Sequence, residues 1–180
     1  MIGILMVDRN WALDSNGVQP IHLKYDLQRF NTITSNRYLV MGRKTYEQLP
    51  KSVLDTNNRR GIVMSRTENY LAMNDHAMVI HSASDMISVQ IPLTRHDAVT
   101  DFIAIGGGTS IRELLSHGFI HVMYITKVDT EFENPTSYMK NLDADPFCHK
   151  LPYPYVKNIA DVDRNTGKIY QTEFCCYMLR

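Results

Sequence analysis

The sequence predicts a single α/β domain spanning residues 1–180, built on a central mixed, mostly parallel sheet. Short apolar runs alternate with segments of helical apolar spacing along most of the chain, which is typical of parallel strands joined by helices. Two late apolar runs flank a turn containing Asn and Gly, which predicts an antiparallel hairpin at the C-terminal end. We therefore expect about eight strands in a twisted sheet flanked by about four helices.

The expected strands are apolar runs bounded by polar residues or glycine. In chain order they are Ile2–Val7, Tyr38–Met41, Gly61–Met64, Ala77–His81, Phe102–Ile105, Val122–Val128, and a hairpin of Tyr155–Ile159 with Lys168–Met178. The expected helices carry apolar residues three or four positions apart. They are residues 23–34, Thr45–Leu49, Ser82–Val89 and Thr109–Ser116, the last ended by Gly118. Polar loops are expected at Asn10–Pro20, Asp55–Arg60 and the proline-rich Asp129–Pro154.

Composition and charge exclude several classes of protein. Lys plus Arg equals Asp plus Glu, so the formal net charge is zero and no global field attracts nucleic acid or an anionic membrane. No apolar run reaches the ~20 residues of a membrane span, and residues 1–9 lack a basic leader. The three cysteines do not form a disulfide framework. We expect a cytoplasmic monomer that binds small molecules.

Asp26 is the most informative residue. It lies within the apolar stripe formed by Leu23, Phe30 and Ile33 of the first helix, so burial should raise its pKa toward that of a general acid. An acidic residue in a first helical turn can equally cap free backbone N–H groups. The local pattern leaves both interpretations open.

Three strand-to-helix junctions suit anionic ligands. Gly106–Gly108 with Thr109 opens a helix, where free N–H groups and glycine let a phosphate approach the backbone. Gly42–Thr45 places two cations and a hydroxyl at a second junction, and Ser65–Thr67 forms a third. Each could be an ordinary turn, but three in one domain favour a ligand with several phosphates.

Other candidates carry weaker signals. Arg59 and Arg60 could clamp a carboxylate or lie in an exposed loop. His117 and His121 have i, i+4 spacing, but Gly118 between them should end the helix, so we expect no metal site.

Four segments, in this order and spacing, resemble the dihydrofolate reductase family over essentially the whole chain: Pro20–Phe30, Val40–Glu47, Ile105–Gly108 and Tyr124–Thr126. The resemblance implies NADPH as cofactor and dihydrofolate as substrate. It assigns Asp26 as the group that hydrogen-bonds the pterin and assists its protonation, with Thr126 supporting that carboxylate.

The resemblance also implies which residues hold each ligand. The substrate would contact Leu5, Met6, Leu27, Phe30, Leu49, Leu54, Arg59 and Ile105, with Arg59 gripping a carboxylate. NADPH would contact Leu13, Gly42, Arg43, Lys44, Thr45, Ser65, Arg66, Gly106, Gly107, Gly108 and Thr109. The loop Asn10–Pro20 would close over the nicotinamide.

The chain departs from the family pattern at four places. Ile21 stands where a Trp is usual, Leu13-Asp14 where Ile-Gly is usual, and Ile111 where a Tyr is common. Asn134-Pro135-Thr136 replaces a Gly-Asp-Thr stretch that contacts the mobile loop.

The expected reaction is hydride transfer to pterin C6 with a proton to N5. One alternative is a same-fold reductase of another heterocycle, of the riboflavin-pathway type. Another is a folate- and NADPH-binding structural protein with weakened activity. Asp26 and Phe30 argue against the reductase of another heterocycle. Asp26, Thr126, Arg59 and the three phosphate-binding junctions together argue against a protein that has lost its activity.

Overall fold

The computed structural model describes residues 1–89, 101–152 and 157–180. Its strands are β1 (Ile2–Val7), β2 (Tyr38–Gly42), β3 (Arg60–Met64), β4 (Ala77–Ile80), β5 (Phe102–Gly106), β6 (Val122–Val128), β7 (Cys148–Lys150), β8 (Lys157–Val162) and β9 (Ile169–Leu179). Its complete helices are α1 (Lys24–Thr34), α2 (Arg43–Gln48), α3 (Ser52–Asp55) and α4 (Gly108–Ser116).

The chain forms two compact units. The first contains Met1 and Ile33–Phe119, and the second contains Ile2–Thr32 and Ile120–Arg180. The expectation of a single domain stays a prediction.

In the first unit, four parallel strands run in the order β4-β3-β2-β5. Their interior is almost wholly apolar, as strands covered on both faces require. Leu39, Val40, Ile62, Val63 and Ile103 have no exposed surface. Because parallel strands all end at one edge, the residues that follow β2, β3 and β5 share that edge.

In the second unit, β1 pairs in parallel with β6, and β9 pairs antiparallel with β6, β7 and β8. A buried apolar cluster packs Ile21 with Met6, Leu23 and Phe132. Ile21 is 5% exposed, so the smaller side chain at this position fills the core of the unit.

These elements confirm the predicted α/β class, with nine described strands where about eight were expected. The antiparallel hairpin is confirmed as β8 and β9, although Tyr155 lies outside the described residues. The predicted helix Ser82–Val89 is helical from residue 85 to the edge of the described segment at residue 89.

Two short elements were not predicted, and the second lies in a stretch that was expected to be loop. Ser52–Asp55 forms α3 just before the polar segment, and Cys148–Lys150 forms β7 within the proline-rich stretch. Four and three residues are too few to show helical or strand periodicity. None of the helices in the described segments is long and apolar enough to cross a membrane.

Candidate active site

The first turn of α1 is held by Asp161 of β8, whose side chain is completely buried. Its carboxylate accepts hydrogen bonds from the backbone N–H of Tyr25 at 2.9 Å and of Asp26 at 3.0 Å. These are the free donors that begin every helix. Asp161 therefore caps the first turn of α1, a role that the sequence analysis had considered for Asp26.

The Asp26 side chain bonds instead to a neighbouring strand. The Thr126 hydroxyl on β6 donates to Asp26 Oδ1 at 2.5 Å, and Thr126 has no exposed surface. The two residues are 100 positions apart in the chain and meet as the family resemblance implied.

Arg29 completes this cluster and was missed from the sequence. Its Nη1 donates to Thr126 Oγ1 at 3.3 Å. The guanidinium carbon lies 5.2 Å from the ring centre of Tyr124 and 4.8 Å from that of Phe174. The available signal was its i, i+3 spacing from Asp26, which places both side chains on one helix face.

Burial raises the pKa of Asp26, as expected for a carboxyl on this face of α1. The hydrogen bond from Thr126 and the charge of Arg29 oppose this rise, while the charge of Asp161 adds to it. Burial also lowers the pKa of Arg29. The net direction favours a carboxyl that can hold a proton closer to neutral pH than a solvated one.

The three strand-to-helix junctions that were predicted to bind phosphate, Gly42–Thr45, Ser65–Thr67 and Gly106–Gly108, are called the phosphate corners below. In the first unit, Arg43 connects the corner at Gly42–Thr45 with the corner at Ser65–Thr67. Its Nη1 donates to the Thr67 hydroxyl at 3.2 Å, Nε lies 3.7 Å from Glu47, and the guanidinium lies 5.6 Å from the centre of the Tyr70 ring. Arg43 therefore reaches from the β2 end to the residues that follow β3. Lys44, Arg66 and Thr109 are exposed, and Ser65 is buried with its Oγ accepting from the Thr67 N–H.

The Gly106–Gly108 corner approaches the Gly42–Thr45 corner through Thr45. A Cβ added to Gly107 would lie 3.2 Å from Thr45 Oγ1, and Gly106 has φ +140°, which side-chain-bearing residues rarely adopt. A Cβ on Gly42 would lie 2.5 Å from Ser110 Oγ. Glycine keeps the backbone open where α2 and α4 begin, and Gly108 is buried in the first turn of α4. This cradle of backbone, hydroxyl and cation fits a phosphorylated cofactor.

The predicted substrate contacts differ in exposure. Leu5, Leu27, Phe30, Leu49 and Ile105 are half-buried and retain surface for a ligand. Met6 and Leu54 are buried in the core, at 8% and 3% exposure. Arg59 is 2% exposed and donates from Nη1 to the Val53 carbonyl of α3 at 3.1 Å. Its carboxylate-gripping role stays a prediction.

The loop Asn10–Pro20 is attached to the segment 134–137, which includes the stretch that the resemblance aligned with a loop contact. The bonds are made by Asp14, whose part in this contact the sequence did not indicate. The Asp14 carboxylate accepts from the Thr136 N–H at 2.7 Å, the Thr136 hydroxyl at 2.9 Å and the Ser137 hydroxyl. Leu13 donates its N–H to the Ser137 carbonyl at 2.9 Å. Burial raises the pKa of Asp14, but these hydrogen bonds outweigh it and lower the pKa.

The described residues contain no group of three or more His, Cys, Asp or Glu side chains placed to hold a metal ion. His117 follows the last residue of α4 and contacts the Glu113 carbonyl through Nδ1 at 2.9 Å.

A raised-pKa helix carboxylate and strand ends suited to phosphates are features of an α/β enzyme that binds a phosphorylated ligand. The family model described as "Dihydrofolate reductase" matches residues 1–161. The chain belongs to the dihydrofolate reductase family.

Individual relatives agree with this assignment. A dihydrofolate reductase from Enterococcus faecium is 30% identical over 129 residues, which cover 72% of this chain and 71% of the relative. The bifunctional dihydrofolate reductase-thymidylate synthase 2 of Arabidopsis thaliana is 26% identical over 83% of this chain, which spans only 28% of the plant protein. The solved structure of dihydrofolate reductase from Enterococcus faecalis complexed with NADP(H) has a TM-score of 0.74 at 23% identity, covering 99% of this chain and 95% of that one. This last likeness supports the fold.

Proposed function

We propose that this protein is an NADPH-dependent oxidoreductase that reduces 7,8-dihydrofolate to 5,6,7,8-tetrahydrofolate. Asp26 carries the proposal, because its carboxyl is held by Thr126 at 2.5 Å and its pKa is raised by burial. Family membership supports the substrate and the cofactor. We also propose that the protein acts as a monomer in the cytoplasm.

Asp26 would bind the pterin N3 and amino group and favour protonation at N5. A carboxyl with a raised pKa suits this role, because a general acid works best when it titrates near the working pH. Thr126 would keep Oδ1 oriented, and Leu27 and Phe30 on the same helix would exclude water from the ring. The substrate contacts of Leu49, Leu54, Arg59 and Ile105 stay predictions of the family resemblance.

The cofactor would be held by the strand ends of the first unit. Thr45 and the glycines at 106–108 would bind the pyrophosphate, while Arg43 and the Ser65–Arg66 corner would bind the ribose 2′-phosphate. NADPH, when bound, supplies the hydride for pterin C6. The contact of Leu13 with the nicotinamide stays a prediction of the family resemblance.

The decisive experiment follows NADPH absorbance after addition of dihydrofolate. We expect turnover by the wild type and a loss of roughly 100-fold for Asp26→Asn near neutral pH, the usual contribution of a positioned acid. Asp129→Asn is the matched control, because it makes the same chemical change at an exposed carboxylate that pairs with Arg9.

Each failure has its own meaning. Absence of turnover by the folded wild type at saturating substrate would contradict the proposed reaction. Full activity of Asp26→Asn near neutral pH would contradict the role of Asp26 while leaving the reaction intact.

A further inference from the structure

Arg29 begins a chain of two hydrogen bonds that passes through Thr126 and ends on the Asp26 carboxylate. Thr126 Oγ1 accepts a hydrogen bond from Arg29 Nη1 at 3.3 Å and donates a hydrogen bond to Asp26 Oδ1 at 2.5 Å. A threonine hydroxyl has a single proton to donate. With Arg29 occupying a lone pair of the oxygen, that proton is directed at Asp26, and successive hydrogen bonds strengthen one another.

The position of Arg29 is maintained by its surroundings. Its guanidinium is packed against the rings of Tyr124 on β6 and Phe174 on β9. Such cation–π contacts are strongest where the cation is partly removed from water. These contacts hold the charge of Arg29 near the Asp26 carboxyl. The charge of a flexible, exposed cation would instead be screened by solvent.

We propose that Arg29 is a positioning residue for the reaction, one that orients the Thr126 hydroxyl and favours the ionised form of Asp26. The inference deepens the proposed function, since it concerns the same carboxyl. Burial favours the protonated form of Asp26, and the charge of Arg29 offsets part of that effect.

The other groups around this pair act in known directions. Asp161 on β8 faces Asp26 and raises its pKa, and Thr126 on β6 lowers it. Those that face Arg29, besides Asp26, are Tyr124 on β6 with Cys175 and Cys176 on β9. Burial raises the pKa of the Cys175 thiol to about 11, so at neutral pH it adds no charge.

Replacement of Arg29 should leave the fold intact. Arg29 lines a groove of about 350 Å³ together with Tyr25, Gln28 and Lys157. A shorter polar side chain at this position can therefore be hydrated from the groove. Arg29→Gln removes the charge while keeping an N–H donor, whereas Arg29→Met removes both the charge and the donor.

The first test is a carboxyl ¹³C NMR titration of the ligand-free protein, with the Asp26 signal assigned by comparison with Asp26→Asn. We expect the Asp26 pKa to rise in Arg29→Gln and to rise further in Arg29→Met. Asp161→Asn should lower it, because a neighbouring negative charge is removed. The matched control is Lys24→Met, which removes one exposed cation from the same helix and should leave the titration unchanged.

The second test is the pH dependence of turnover. A higher Asp26 pKa keeps the acid protonated at higher pH, so the ratio of kcat at pH 8 to kcat at pH 6 should rise roughly three- to tenfold in Arg29→Met. In a Thr126→Val background the same replacement should have a smaller effect, because Arg29 acts partly through that hydroxyl. The KM for NADPH should change little.

The two tests separate the inference from the proposed function. An unchanged Asp26 titration in folded Arg29→Gln and Arg29→Met overturns the role of Arg29, whatever the enzyme reduces. A shifted titration in a protein that does not reduce dihydrofolate preserves the role of Arg29 and contradicts the proposed reaction.

Discussion

The acid cluster of the second unit and the phosphate corners of the first unit are built in different ways. Asp26 is joined to Thr126, Thr126 to Arg29, and the helix that carries Asp26 to Asp161, all within the protein. The corners instead present cations that extend toward solvent, with Lys44 and Arg66 exposed. One region is complete without a ligand, and the other offers groups that a ligand would complete.

This difference follows from the chemistry each region is proposed to perform. A proton-transferring carboxyl needs its protonation state set before substrate arrives, and electrostatic preorganisation does this through fixed neighbours. A dinucleotide brings its own charges, so its site needs open backbone and mobile cations instead. Changes in the acid cluster should therefore alter stability or proton affinity, whereas changes in the corners should alter cofactor affinity.

The largest effect should come from Asp161→Ala. It removes the buried acceptor of the Tyr25, Asp26 and Val162 backbone N–H groups, which are bonded at 2.8–3.0 Å. Loss of a carboxylate cap that leaves three partly buried donors unsatisfied should lower the free energy of unfolding by about 2 kcal/mol. Urea unfolding measures this change.

Asp129→Ala provides the control for that measurement. Asp129 pairs with Arg9 at 2.6 Å in an exposed position, so its removal should change stability little. Equal decreases in the free energy of unfolding for Asp161→Ala and Asp129→Ala would show that the buried cap stabilises the protein no more than an exposed ion pair does. The acid cluster would then depend less on internal pairing than the structure indicates.

The same contrast explains what the sequence could predict. Most strand and helix positions follow from local apolar periodicity, and the Gly-Arg-Lys-Thr corner is a contiguous motif at a strand end. Asp26 was found because its place in an apolar stripe is also a local property. The family resemblance then supplied Thr126, its partner 100 positions away.

The missed contacts are the ones that only tertiary pairing creates. Arg29 reaches Thr126 across 97 positions, Asp161 reaches Tyr25 across 136, and Asp14 reaches Thr136 across 122. None of these pairs has a spacing that signals contact. The departure at Leu13-Asp14 was visible in the sequence, but the donors that accompany Asp14 were not.

The second prediction concerns Asp14, which joins the loop Asn10–Pro20 to the segment 134–137 of the same unit. Asp14→Asn keeps the size of the side chain but weakens four charge-assisted hydrogen bonds, so it should lower the free energy of unfolding by about 1–2 kcal/mol at pH 7. Faster amide exchange at Gly17 and Thr136, whose N–H groups bond to Asp14, should accompany this loss.

The pH dependence of this effect has a defined sign. Because folding lowers the pKa of Asp14, its contribution is fully present above the pKa of the unfolded chain, near 4, and is lost as pH falls through the folded value. Comparing wild type with Asp14→Asn at each pH cancels losses from other carboxyls. A stability difference that stays constant from pH 7 to pH 3 would show that the charge of Asp14 is not responsible.

The smallest effect should come from Arg43→Gln in the phosphate corners. The side chain is 40% exposed and contacts Thr67, so its removal should leave the fold intact. Removal of one cation that would bind the ribose 2′-phosphate should weaken NADPH binding roughly fivefold and leave NADH binding almost unchanged. Fluorescence titration measures both affinities. Arg60→Gln removes the same charge at the opposite end of β3 and should affect neither cofactor.

Equal weakening of NADH and NADPH binding by Arg43→Gln would place Arg43 at the pyrophosphate, which both cofactors share. Unchanged binding of both would mean that the exposed cations of this corner do not take part, and the contrast with the acid cluster would then rest on the glycines and Thr45 alone.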